Sequence, residues 1–128
     1  MTTDKKVKIL LTEDDKFISR AYTDGLTRAG YEVKQAFNGQ EALDIVKDFQ
    51  PDLILLDLIM PVKNGFETLG ELKAGIETKD IPVIVLSNLG QDTDIQQSKE
   101  LGAADYLIKS NYSLNEVMEK IDKYLNGK

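Results

Sequence analysis

Leu53-Ile54-Leu55-Leu56-Asp57 is the stretch that decides how this chain folds. Four consecutive large aliphatics suit a strand buried on both faces, as in a parallel sheet with helices above and below. Pro51 and Asp52 limit the run on one side, and Pro61, Asn64 and Gly65 turn the chain soon after it. Asp57 is therefore expected where buried strand gives way to loop, the edge at which open α/β sheets bind ligands.

Upstream, Val7 to Thr12 forms a second apolar run, and it too ends in acids: Glu13, Asp14 and Asp15. Ile18, Ala21, Tyr22, Gly25, Leu26 and Ala29 then recur at helical spacing, with Gly30 as a stop. Tyr31 to Ala36 alternates like a short strand. Asn38-Gly39 leads into a helix striped by Ala42, Ile45, Val46 and Phe49.

Downstream, Phe66, Leu69 and Leu72 give a weaker helical pattern, interrupted by Gly70 and Gly75. Pro82 opens a strand over Val83 to Leu86 that ends in Ser87-Asn88. Asp92 to Leu101 carries little more than Ile95 and Leu101 as apolar anchors, which predicts a loosely held helix. Ala103 to Ile108 reads as a last strand ending at Lys109. Ser113 and Glu116 form a capping box before an amphipathic helix of Leu114, Val117, Met118, Ile121 and Leu125.

Five strands alternating with five helices predict a doubly wound parallel sheet with helices on both faces, in the flavodoxin-like order 2-1-3-4-5. The switch point then falls between the first and third strands, the two that end in acids. With 128 residues, no internal repeat and no linker-like segment, residues 1–128 read as one domain.

Composition narrows the chemistry. Hydrophobic residues make up 41% and charged residues 30%, the balance of an ordinary globule. A net charge of -6 argues against affinity for nucleic acid phosphates. The absence of Cys and His removes disulfides, thiolate zinc sites and imidazole acid–base catalysis, so any metal must be held by oxygen. No apolar segment approaches a signal or membrane-spanning length, and a cytoplasmic location is expected.

If the topology holds, Glu13 and Asp14 lie beside Asp57. Three neighbouring carboxylates repel one another unless a cation joins them, and oxygen ligands alone point to Mg²⁺. Any single acid at a strand end is more commonly a solvated loop residue or a helix cap, the role assigned to Asp15. Coincidence at two adjacent strands favours a site. Ser87 and Lys109 end the fourth and fifth strands at the same edge, where a hydroxyl and an ammonium would both suit a phosphoryl group. Asp57, ending the most buried strand, is the best candidate nucleophile, and carboxylate attack on phosphorus gives an aspartyl phosphate.

Glu13-Asp14, Asp57 with Met60-Pro61 and Gly65, Ser87 and Lys109 together resemble, in order and over essentially the whole chain, the receiver domain of two-component response regulators. The resemblance implies that Asp57 is the phosphoacceptor, that Glu13, Asp14, Asp57 and the Ile59 carbonyl hold Mg²⁺, and that Ser87 and Lys109 contact the phosphoryl group. It implies a phosphodonor, a sensor histidine kinase or phosphotransfer protein, and a downstream protein target, with dimer formation on activation left open. The chain would catalyse its own phosphorylation and dephosphorylation while acting primarily as a signalling protein. Tyr106 occupies the position of the family's switch aromatic, and the responsive surface would be the fourth helix, fifth strand and fifth helix.

Two departures from the family pattern stand out. Lys109 is followed by Ser110 where the family usually has a proline in a cis peptide, so either a strained bond is kept or the loop to Ser113 is rearranged. Ile59 and Leu89 are apolar where a polar side chain could position an attacking water, which predicts slow self-dephosphorylation. The alternative function is a receiver-like interaction module acting without phosphorylation, which predicts damage to the acids, Ser87 or Lys109; none is seen. A flavin carrier would need an anion-binding loop where Glu13-Asp14-Asp15 stands. A metal-dependent phosphatase would need room for a substrate cap that the short loops do not leave.

Overall fold

A computed structural model describes residues 6–126. In chain order it contains β1 (Lys8–Thr12), α1 (Lys16–Arg28), β2 (Glu32–Ala36), α2 (Gly39–Phe49), β3 (Leu53–Leu56), α3 (Gly65–Ala74), β4 (Val83–Ser87), α4 (Asp92–Glu100), β5 (Asp105–Ile108) and α5 (Leu114–Asn126). The strands form one parallel sheet in the order β2-β1-β3-β4-β5, as the alternation of elements predicts.

Side-chain alternation on the three central strands divides the interior into two cores. Ile9, Leu11, Leu53, Leu55, Ile84 and Leu86 point toward α1 and α5, where they meet Tyr22, Leu26, Val117 and Ile121. Their neighbours Leu10, Ile54, Leu56, Val83 and Val85 point the other way, onto Ala42, Val46, Leu69 and Leu72 of α2 and α3. Every residue of β3 is buried, which explains why its sequence runs apolar without interruption.

The helix starts follow from local chemistry. Asp15 caps α1, its carboxylate accepting from the Phe17 and Ile18 N–H groups. Asn38 caps α2, Asn64 and Glu67 form a capping box on α3, and Ser113 and Glu116 form the expected one on α5. α4 is the exception. Gln91 supplies no side-chain cap, and Ser98 is the helix's one buried residue. The helix is thus held as weakly as its sparse apolar pattern implies.

The loop after Lys109 is the rearranged alternative. No cis peptide occurs among the described residues, and Lys109–Asn111 form a single 3-10 turn. The Ser110 N–H donates to Asn88 Oδ1 at 3.1 Å, tying this turn to the end of β4.

Candidate functional site

Two backbone hydrogen bonds place the acids. One residue beyond β1, the Glu13 N–H donates to the Ala36 carbonyl at 3.0 Å; one residue beyond β3, the Asp57 N–H donates to the Thr12 carbonyl at 3.0 Å. Each bond extends a strand ladder by one rung, so both side chains leave the sheet at the same edge. Oxygens of Glu13, Asp14 and Asp57 all lie within 4.8 Å of one another. Glu13 and Asp57 are buried, at 3% and 7% exposure, whereas Asp14 faces solvent.

The loop behind Asp57 is packed too tightly for a side chain at its far end. The Gly65 N–H donates to the Leu58 carbonyl at 2.9 Å, and a Cβ on Gly65 would stand 2.3 Å from the Asp57 carbonyl oxygen. Between them, Val62 has φ of 67° and the Lys63 N–H reaches back to the Pro61 carbonyl at 2.7 Å, a tight turn strained for a β-branched residue. Such strain commonly collects beside functional groups.

Lys109 reaches into the acid cluster from the end of β5. Its ammonium donates to Asp57 Oδ2 at 3.1 Å and also to Glu13 Oε1. The second oxygen of Glu13 accepts from the Asp15 N–H at 3.0 Å, and Asp57 Oδ1 accepts from the Ile59 N–H at 3.3 Å. Burial acts to lower the Lys109 pKa, but its hydrogen bond to Glu13 and the charge of Asp57 outweigh this and leave it raised. For Glu13 burial is the largest influence and raises the pKa, opposed by Lys109 and by the Asp15 N–H.

Ser87 is fully buried at the end of β4, and its hydroxyl oxygen accepts from the Leu89 N–H at 3.3 Å. Tyr106 lies with its ring partly buried against the α2–α3 core, its hydroxyl donating to the Leu89 carbonyl. Burial, then the charge of Asp94, holds its phenol above the ordinary value of 10.0. The same short segment, Ser87 to Leu89, thus joins the two expected switch residues. Ile59 projects its side chain outward, 59% exposed, beside Asp57.

The sequence placed all these groups at one edge but missed how they are wired. Three contacts have no local signal: Lys109 to Glu13, Asn88 to Ser110, and Tyr106 to the Leu89 carbonyl. Asn88 could have been noticed only as an amide directly following Ser87 at a strand end.

Three carboxylates supplying only oxygen, one of them open to solvent, suit a small hard divalent cation. A parallel α/β sheet that gathers such acids, a buried serine and a lysine at its carboxyl edge defines a phosphorylation-dependent signalling switch. The response regulator receiver domain family model matches residues 9–122, and the chain belongs to that family.

Among relatives, sporulation initiation phosphotransferase F of Bacillus subtilis is 37% identical over 118 residues, covering 92% of this chain and 93% of that protein. The DNA-binding dual master transcriptional regulator RpaA of Synechocystis is 39% identical over 114 residues, covering 89% of this chain but 47% of that protein. This chain therefore spans about half of RpaA's length. The phosphorylated cyanobacterial phytochrome response regulator RcpA superposes with a TM-score of 0.84 at 33% identity, with 94% of each chain covered.

Proposed function

We propose that Asp57 accepts a phosphoryl group from a phosphohistidine on a sensor kinase or phosphotransfer protein, and that the resulting change at α4, β5 and α5 controls a partner protein. One Asp57 carboxylate oxygen attacks phosphorus and forms the new P–O bond as the P–N bond breaks. The electron pair of that bond leaves on the imidazole. The observation that carries this reading is convergence: a buried Asp57 shares a lysine with Glu13 and lies within carboxylate reach of Glu13 and Asp14.

Glu13, Asp14, Asp57 and the Ile59 carbonyl are the residues that would hold Mg²⁺. When bound, the ion offsets the negative charge of the acids and of the phosphoryl oxygens. Lys109 supplies a cation to the phosphoryl group, and Ser87 can turn its hydroxyl toward it. Because Ser87 and Tyr106 both bond to Leu89, moving the serine disturbs the tyrosine's anchor. α4, uncapped and sparsely buried, is the element that yields. Residues 1–128 would act as one cytoplasmic domain with no nucleic acid contact of its own. Among the described residues, no helix is long and apolar enough to cross a membrane.

Intact mass after incubation with Mg²⁺ and acetyl phosphate tests the assignment. The native chain gains one phosphate and Asp57→Asn gains none. Equal labelling of both, or of neither, overturns it.

A further inference from the structure

The turn that carries Lys109 has no cap of its own. Lys109–Asn111 are closed by the Tyr112 N–H on the Lys109 carbonyl at 3.3 Å, and Ile108 at the start supplies no side-chain bond. The missing partner comes from the neighbouring strand. The β4–β5 pairing ends where Ser87 stands beside Ile108, and one residue further Asn88 Oδ1 accepts from the Ser110 N–H at 3.1 Å. A side-chain amide thus continues the contact after the backbones have stopped pairing.

Residue 110 decides whether this bond can exist. A proline there, as the family usually has, carries no N–H to donate and disfavours the helical backbone that Lys109 adopts in the turn. Ser110 supplies the donor and Asn88 the acceptor, so the two positions are matched. Two residues beyond Asn88's neighbour Ser87, at the end of the same segment, Gly90 lies against Ile108, where an added Cβ would come 3.2 Å from Ile108 Cδ1. Residues 88–90 therefore brace the end of β5 on both sides of Lys109, at Ile108 and at Ser110.

We propose that Asn88 is a positioning residue for phosphoryl transfer: through Ser110 it fixes the turn so that Lys109 meets the phosphoryl group in register with Ser87. This rests on the reading of Asp57 as phosphoacceptor, with Lys109 and Ser87 as its phosphoryl contacts. A lysine carries its charge on a long flexible stem, and it serves a reacting group well only when its backbone is held. Asn88 touches no reacting atom and acts through the lysine. Because it directly follows Ser87, the same short segment sets the serine and the lysine against one phosphoryl group.

Labelling with Mg²⁺ and acetyl phosphate tests the role. The rate in Asn88→Ala falls roughly fivefold, a modest loss because the Asn88–Ser110 bond is exposed. In a Lys109→Met background the same substitution changes the rate by less than about twofold, since the group it positions is gone. Amide exchange at Ser110 quickens in Asn88→Ala, while calorimetric titration with Mg²⁺ gives native affinity. Circular dichroism checks folding, and Asn88→Ser, too short for the contact, stands in if the alanine variant is unfolded. Unchanged labelling, an equal fall in both backgrounds or unchanged Ser110 exchange overturns the proposal. So does weakened Mg²⁺ binding, which would mean general damage to the acid cluster. If the native chain is labelled on Asp57 and Asn88→Ala is labelled as fast, the positioning role alone falls. A native chain that takes no phosphate sinks the phosphoacceptor reading and this proposal with it.

Discussion

Lys109 Nζ stands 3.1 Å from Asp57 Oδ2, although 52 residues separate them in the chain. The parallel sheet makes the meeting possible, because β3 and β5 run the same way and end at the same edge with β4 between them.

Alkaline pH should loosen the native fold through Lys109. Its folded pKa lies above the ordinary 10.5, since contacts with Glu13 and Asp57 outweigh the opposing effect of burial. A raised folded value means that the contribution is full below the unfolded pKa and is lost as pH rises through the folded one. Tyr22, Tyr31 and Tyr106 are raised too and act in the same direction; all three remain in a Lys109→Met variant, and of them only Tyr22 has Lys109 among the charges that act on it. The urea midpoint of the native chain should therefore fall more steeply above pH 10.5 than that of Lys109→Met. Parallel curves would contradict the ion-pair assignment.

Gly65→Ala should damage both fold and site. The added methyl would lie 2.3 Å from the Asp57 carbonyl oxygen and 2.5 Å from Leu58 Cα, and backbone atoms cannot swing aside as a side-chain tip can. A loss of about 1–3 kcal/mol in urea unfolding is expected, together with slower labelling by acetyl phosphate. An alanine variant as stable and as readily labelled as the native chain would show that the loop has slack.

Ser98→Ala should stabilise the protein. Ser98 is the one buried residue of α4, and its hydroxyl has no hydrogen-bond partner among the described residues. Removing an unpaired buried hydroxyl, with a better helix former in its place, should add about 1–2 kcal/mol. Amide exchange in α4 should slow at the same time. If exchange quickens or the unfolding midpoint drops, the hydroxyl has a role that the packing does not reveal.

Phosphorylated Asp57 should be long-lived. Ile59 extends from the segment next to the carboxylate and Leu89 packs against the α2–α3 core, so neither offers a polar atom to orient water. Decay of the phosphorylated mass in the native chain should be slower than in an Ile59→Asn, Leu89→Glu double variant by roughly tenfold or more. Similar lifetimes would place the control of hydrolysis elsewhere.

The contrast between α4 and α5 shows what local pattern can carry. In α5 the capping box and the stripe of Leu114, Val117, Met118, Ile121 and Leu125 are written within 13 consecutive residues, and the helix follows them. In α4 the same reading gave weak anchoring, and the absence of a side-chain cap agrees. The sequence around Lys109 is compatible with two loop forms, and the contact that ties down the observed turn comes from outside it, Asn88 Oδ1 accepting from the Ser110 N–H.

The alternation of strands and helices, the two-sided burial of β3 and the edge at which Asp57, Glu13 and Lys109 emerge can all be read from the order of residues. Those properties depend on period, chain direction and punctuation, all of which are local. That Lys109 binds Glu13 as well as Asp57, that Asp14 stays in solvent and that Leu89 links Ser87 to Tyr106 follows from how the elements pack in space. A hydrogen bond forms over about 3 Å, and strand ends sharing one edge still leave side chains several such lengths of freedom. Packing removes that freedom, and no stretch of this chain read alone contains the packing.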